Sequence, residues 1–317
     1  MIDAEVRYRA LVRVLPPWYR AERGDEMVGT LLDLHDERAR AALWSELWAM
    51  LALGVRTRLA ARAAPVRAVA LGDLVRQVAL LGLLWGVLKS ACGVGNTLWT
   101  LFRFSSYYPG NFRATLTADL GKDLVLLAAA LIPLALLADG WRRAARIAAG
   151  AILAAGAIWF LARHSADLGP EPIAYYAPQW LPLVLALAAF HVDAPLPPAR
   201  PWWWAIGGSL ALAPVLALRF GLPVDLAQLD GLSPLVWLCS LAGAGYLLFR
   251  HRTGPRPAWT LALALCIALV LIQNLVLKNG VVPFDAMVIA QVCCAGAIVV
   301  ALTAVGIRDY RRTVVNR

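Results

Sequence analysis

The chain has 317 residues, 61 per cent of them hydrophobic and 16 per cent charged, with a formal net charge of +10. Soluble domains average about 45–50 per cent apolar and roughly 25 per cent charged, so this composition excludes an ordinary soluble core. The positive charge would suit nucleic acid or membrane topology, and its distribution along the chain has to decide between them.

Residues 1–40 are studded with Arg, Asp and Glu and lack the apolar run of about 7–15 residues that a cleavable signal needs. The N-terminus is therefore expected to stay in the cytoplasm. Residues 3–15 read as an amphipathic helix with Tyr8, Leu11, Val12 and Leu15 on one side, stopped by Pro16-Pro17. A second helix, about 18–40, carries Val28, Leu31, Leu32 and His35 on one face. A third places Trp44, Leu47, Trp48, Leu51 and Val55 along one stripe, too apolar to face water and expected to be buried in the domain or against a partner. Helices this short are marginal alone, so the three are expected to pack into a cytoplasmic domain over 1–68. Arg56, Arg58, Arg62 and Arg67 close it as a juxtamembrane basic cluster. Such a cluster suits anionic lipid, and topological retention explains it equally well.

Tyr8-Arg9, Leu11, Leu15-Pro16, Tyr19-Arg20 and Arg23-Gly24-Asp25-Glu26-Met27 give this region a pattern. It resembles the helical prefix of bacterial permease-like membrane proteins, the permease prefix domain, and the short helical domains of PadR-associated membrane proteins. The resemblance covers about the first 60 residues. It implies association with an ABC-type ATPase or a PadR-like regulatory system, and it implies no catalytic residue.

Eight apolar runs follow, at about 75–99, 120–138, 147–162, 177–192, 202–219, 232–249, 258–277 and 286–306. The third and fourth are short for a full crossing. The fold expected is all-α: a polytopic bundle of about eight transmembrane helices over 69–307, followed by a basic cytoplasmic tail, 308–317. With the N-terminus inside, 22 of the 30 Lys and Arg fall in cytoplasmic segments, six in outer ones, and two, Arg76 and Lys89, in the first span. Basic residues are retained on the cytoplasmic side, so this asymmetry puts both termini there and accounts for the net charge without nucleic acid. Trp202, Trp203, Trp204 and Trp259 open spans and read as interfacial anchors, as do Tyr107, Tyr108, Tyr175, Tyr176 and Trp180 at outer edges.

Ionisable residues inside a bilayer are costly and are functional candidates by default. Lys89 is the clearest, with Cys92 and Asn96 on the same helical face. Gln273, Asn274 and Gln291 lie at comparable depth on the last two spans. An intramembrane polar cluster of Lys89, Asn96, Gln273, Asn274 and Gln291 is therefore expected, with the first span beside the seventh or eighth. Asp119, Asp123, His164, Asp167 and Glu171 read as solvated outer-loop groups. Five scattered cysteines and four separated histidines suggest neither disulfide nor metal, and no nucleotide-binding loop or hydrolase motif occurs. No cofactor is indicated.

The expected role is an accessory, sensory or scaffolding membrane component that works with a transporter or regulator through its cytoplasmic domain. The alternative is a permease-like subunit requiring a separate ATPase. A membrane-embedded enzyme is a second alternative with less support. Membrane lipid is an expected contact, and a homo-oligomer is left open.

Overall fold

The computed structural model of the chain describes residues 2–37, 42–59, 64–104, 111–164, 170–191, 193–220, 234–254, 256–278 and 286–315. Among these, every regular element is a helix. Two compact units divide the chain, Met1–Asp73 and Leu74–Arg317.

The first unit holds α1 (Ile2–Val12), α2 (Pro17–Glu37) and α3 (Ala42–Arg58), with the start of α4 (Val66–Phe104). Its core is Tyr8, Val12, Leu15, Val28, Leu31 and Met50, with Leu11 and Leu32 packed against it. The faces expected of α1 and α2 are thus the buried ones, although the side chain of His35 lies outside the described set. Of the two alternatives for the α3 stripe, burial within the domain is not what the structure shows. Trp48 is 67 per cent exposed and Val55 41 per cent exposed, while Leu47 and Leu51 are half-buried. Instead α3 turns Glu46, Met50, Leu53, Gly54 and Thr57 inward. One hydrogen bond and one close approach favour that choice. The Tyr8 hydroxyl donates to Glu46 Oε2 at 3.2 Å. Val14 packs into Gly54, where an added Cβ would lie 3.1 Å from its Cγ1. The Trp44 side chain lies outside the described set.

The second unit contains most of α4 and then α5 (Asn111–Ala138), α6 (Arg142–His164), α7 (Pro170–Ala189), α8 (Ala199–Phe220), α9 (Pro234–Thr253), α10 (Pro257–Lys278) and α11 (Ala286–Val315). Five of these, α4, α5, α6, α10 and α11, are long and apolar enough to cross a membrane. The third expected span was too short on paper, yet α6 is one of the five. The helix itself begins at Arg142, so the span Arg142–Ala162 is 21 residues long, more than the apolar run alone suggests. In α7 the apolar stretch is shorter, Tyr176–Ala189.

Two of the reversals are short turns marked by glycine. Between α5 and α6, Gly140 takes φ 86°, with Trp141 N–H donating to the Leu136 carbonyl at 2.8 Å and Gly140 N–H to Leu137 at 3.1 Å. This is a Schellman cap, which needs a residue tolerant of the left-handed region. Gly254, at φ 74°, marks the turn from α9 to α10.

Long-range contacts show which helix ends meet. Trp203 Nε1, at the start of α8, donates to Asp139 Oδ1 at the end of α5, 3.0 Å away. Trp202 stacks on Trp259 at the start of α10, centroids 6.0 Å apart. Thr260 of α10 bonds Tyr246 near the end of α9, and Arg250 of α9 pairs with Asp309 near the end of α11. These contacts gather at one end of the unit. At the other, Phe160 of α6 meets Tyr176 and Trp180 of α7 edge to face. Trp202 is therefore a packed residue, 5 per cent exposed, whereas Trp204 is 71 per cent exposed and suits an anchor.

Candidate functional site

The site grows from one face of α4. Gly82, Gly86, Lys89, Gly93 and Thr97 follow at steps of four or three residues, so they share a side of the helix. Each glycine admits a neighbour closely. An added Cβ would lie 2.5 Å from Pro182 Cγ at Gly82, 2.9 Å from Ala130 Cβ at Gly86 and 2.8 Å from Asp123 Oδ2 at Gly93. Small residues let helices approach in the absence of a hydrophobic driving force between them. Here they seat α4 against α5 and α7. Leu88, Ala91 and Cys92 join Ala213 of α8 and Leu235 of α9 in a further apolar cluster. Its apolar window is 44 per cent buried, against 17 per cent for α6, which makes α4 the more enclosed helix.

Gly93 allows the carboxylate of Asp123 to lie against α4. Thr97 Oγ1 donates to Asp123 Oδ2 at 3.3 Å, and the charges of Asp123 and Lys89 act on one another. Asp123 sits on α5 one residue from Lys122, which pairs with Asp119 at 3.1 Å on the exposed side. The outer-loop assignment of Asp119 and Asp123 is thus corrected: both are helical, because α5 begins at Asn111 and not near 120. The His164 side chain, Asp167 and the side chain of Glu171 lie outside the described residues.

The residues expected around Lys89 fall in different surroundings. Asn96 is exposed, because the inward face at that height centres on Thr97. Asn274 donates its amide to its own helix, at Val270 O, 2.8 Å away. Gln273 and Gln291 are buried, at 4 and 1 per cent exposure, each with interactions of its own. The carboxylate of Asp123, within electrostatic range of Lys89, is a group that the amide search overlooked. Its signal was present in the sequence as Lys89-x-x-x-Gly93-x-x-x-Thr97, a face with a notch and a hydroxyl, and as Gly82-x-x-x-Gly86, the small-residue motif of membrane helix contacts. In the basic cluster, Arg56, Arg58 and Arg67 are exposed and Arg62 lies outside the described residues.

Chemically, a carboxylate within electrostatic range lowers the cost of holding Lys89 inside a helix bundle, where a lone ammonium would cost at least about 2.5–3.5 kcal/mol. The Thr97–Asp123 hydrogen bond ties α4 to α5.

The unit also encloses an apolar cavity of about 200 Å³ between α4, α7, α8, α9 and α10. Trp85, Leu88, Pro182, Cys239, Cys266 and Val270 are among its walls, and Ser209 contributes a hydroxyl-bearing residue. No family model, curated protein or solved structure matches the chain.

Proposed function

We propose that this is a multi-pass protein of the cell membrane, crossing eight times through α4–α11 with both termini cytoplasmic. It acts as an accessory, sensory or scaffolding component for a transporter or regulator. The observation that carries the role is the outer stripe of α3: Trp48 at 67 per cent and Val55 at 41 per cent exposure, on a helical unit whose core is complete without them. A large aromatic left on the surface beside aliphatic neighbours is the composition of a contact patch. The resemblance of the first 60 residues points to an ABC-type ATPase or a PadR-like regulator as the partner. The reading assigns no catalytic residue to the chain.

The eight crossings are supported by the end-to-end contacts, since Asp139–Trp203, Trp202–Trp259 and Arg250–Asp309 join ends that strict alternation would bring to one side. The basic residues of the 142–146 and 250–256 segments fall on that same side, which supports calling it cytoplasmic.

Purification from native membranes tests the role. An ATPase or regulator should co-purify with the intact chain, and both deletion of 1–60 and Trp48→Glu should release it while the bundle stays inserted. Because Trp48 is exposed, its substitution should leave the helical unit folded. Solute flux in vesicles that survives the deletion would replace this reading with a permease.

A further inference from the structure

We propose that the cavity between α4, α7, α8, α9 and α10 is a binding site for a lipid acyl chain. Its walls are aliphatic, aromatic, proline and thiol side chains, with Ser209 as the hydroxyl among them. A water needs about two to four polar partners, so such a space stays dry. At about 200 Å³ it exceeds an engineered apolar cavity of ~150 Å³ that takes up benzene.

The shape selects a chain over a compact guest. On α4 the lining runs from Val78 to Leu88, a length of roughly 15 Å at 1.5 Å per residue. Leu263 to Val270 line it along α10 in the same direction. The mouth faces outward from the unit: Leu181 of α7 and Ala242 of α9 both line the cavity and are exposed. Leu241, next to Ala242, is 67 per cent exposed, so the surface beside the mouth is itself apolar. In a membrane the phase at that mouth is hydrocarbon. An acyl chain entering from it gives up no hydration and supplies the dispersion contacts that an empty cavity denies its walls. No charged side chain lines the space, so recognition is by the tail.

This inference rests on the membrane placement of α4–α11 and is independent of any partner at α3. The test uses the full chain in nanodiscs doped with a phosphatidylcholine that carries a diazirine in mid-chain, with cross-linked peptides mapped by mass spectrometry. Labelling of peptides bearing Trp85, Cys239 and Cys266 should saturate as the probe's mole fraction rises. Labelling at Ile147 and Ile158, on the exposed face of α6, should rise in proportion. Cys239→Phe, which fills the cavity, should lower the first by about tenfold, the change that ~1.4 kcal/mol of lost binding gives, and leave the second unchanged. Proportional labelling at both sets in the unaltered chain would overturn the proposal whatever the variant does. Cross-linking of the cavity peptides to a second copy of the chain would overturn it as well. Failure of the chain to enter nanodiscs would instead refute the membrane placement on which it rests.

Discussion

Asp123 changes what Lys89 is expected to do. A lysine bonded only to amides could be replaced by leucine with little loss, but a lysine within electrostatic range of a carboxylate leaves a charge behind when removed. Lys89→Leu should therefore destabilise the bundle by about 1–3 kcal/mol, the cost of an unsatisfied buried polar group. Adding Asp123→Leu should restore most of it, because removing both members of a pair is often nearly neutral. Thermal unfolding of the three variants in detergent checks this, and a neutral Lys89→Leu would mean that Asp123 is not its counter-charge. Tyr8 gives a second residue-scale expectation. Burial first, and then the charge and hydrogen bond of Glu46, push its phenol above the ordinary tyrosine value. A raised folded value means stability that is complete below the unfolded value of about 10 and is lost as pH rises through the folded one. Tyr8→Phe should cost about 0.5–1.5 kcal/mol at neutral pH and flatten that alkaline loss. The ratio of proteolysis rates within residues 1–73, variant to parent, read across pH 8–11, reports both. The range brackets the tyrosine reference of about 10.

Helices were legible from the sequence to the extent that one strong period ruled them. The i, i+3, i+4, i+7 pattern of Tyr8, Leu11, Val12 and Leu15 marked the buried face of α1, since no polar residue competed for it. On α3 the most apolar stripe was the wrong guide. Its inward face is chosen by Glu46, which accepts from Tyr8, and by Gly54, which admits Val14, and neither contributes to a hydrophobic count. The face of α4 was hidden for the same reason, being built from glycines. Those glycines can be ranked by what they meet. At Gly82 a methyl would strike the rigid ring of Pro182, whereas nothing lies within 4 Å of Gly207 or Gly208 on α8. Gly82→Ala should destabilise by about 1–3 kcal/mol through overpacking. Gly207→Ala should be neutral or stabilising by up to about 1 kcal/mol, from helix propensity alone. Equal effects at the two sites would mean that the contact of α4 with α7 is looser than the geometry indicates.

At the scale of the whole molecule, hydropathy separates a polar first unit from an apolar second one, in which five helices are long and apolar enough to cross a membrane. It does not say which ends meet, because that information lies in pairs such as Trp203 with Asp139 and Arg250 with Asp309, 64 and 59 residues apart. The pairs constrain topology beyond the charge count. If α5 ends where α8 and α10 begin and where α9 and α11 end, then α6 with α7, and α8 with α9, must each cross as a pair or not at all. Removing α6 or α7 alone from this scheme would put Asp139 and Trp203 on opposite sides of the bilayer. Reporter fusions after Arg143 and Arg252 should therefore read cytoplasmic, and fusions after Pro109 and Asp167 external. The informative position is Asp167, between α6 and the Pro-containing α7, whose apolar stretch is the shorter one. A cytoplasmic signal there would leave α6 and α7 as a pair that does not cross. The aromatic contacts of Phe160 with Tyr176 and Trp180 would then be a hairpin packed within the bundle and not its outer edge.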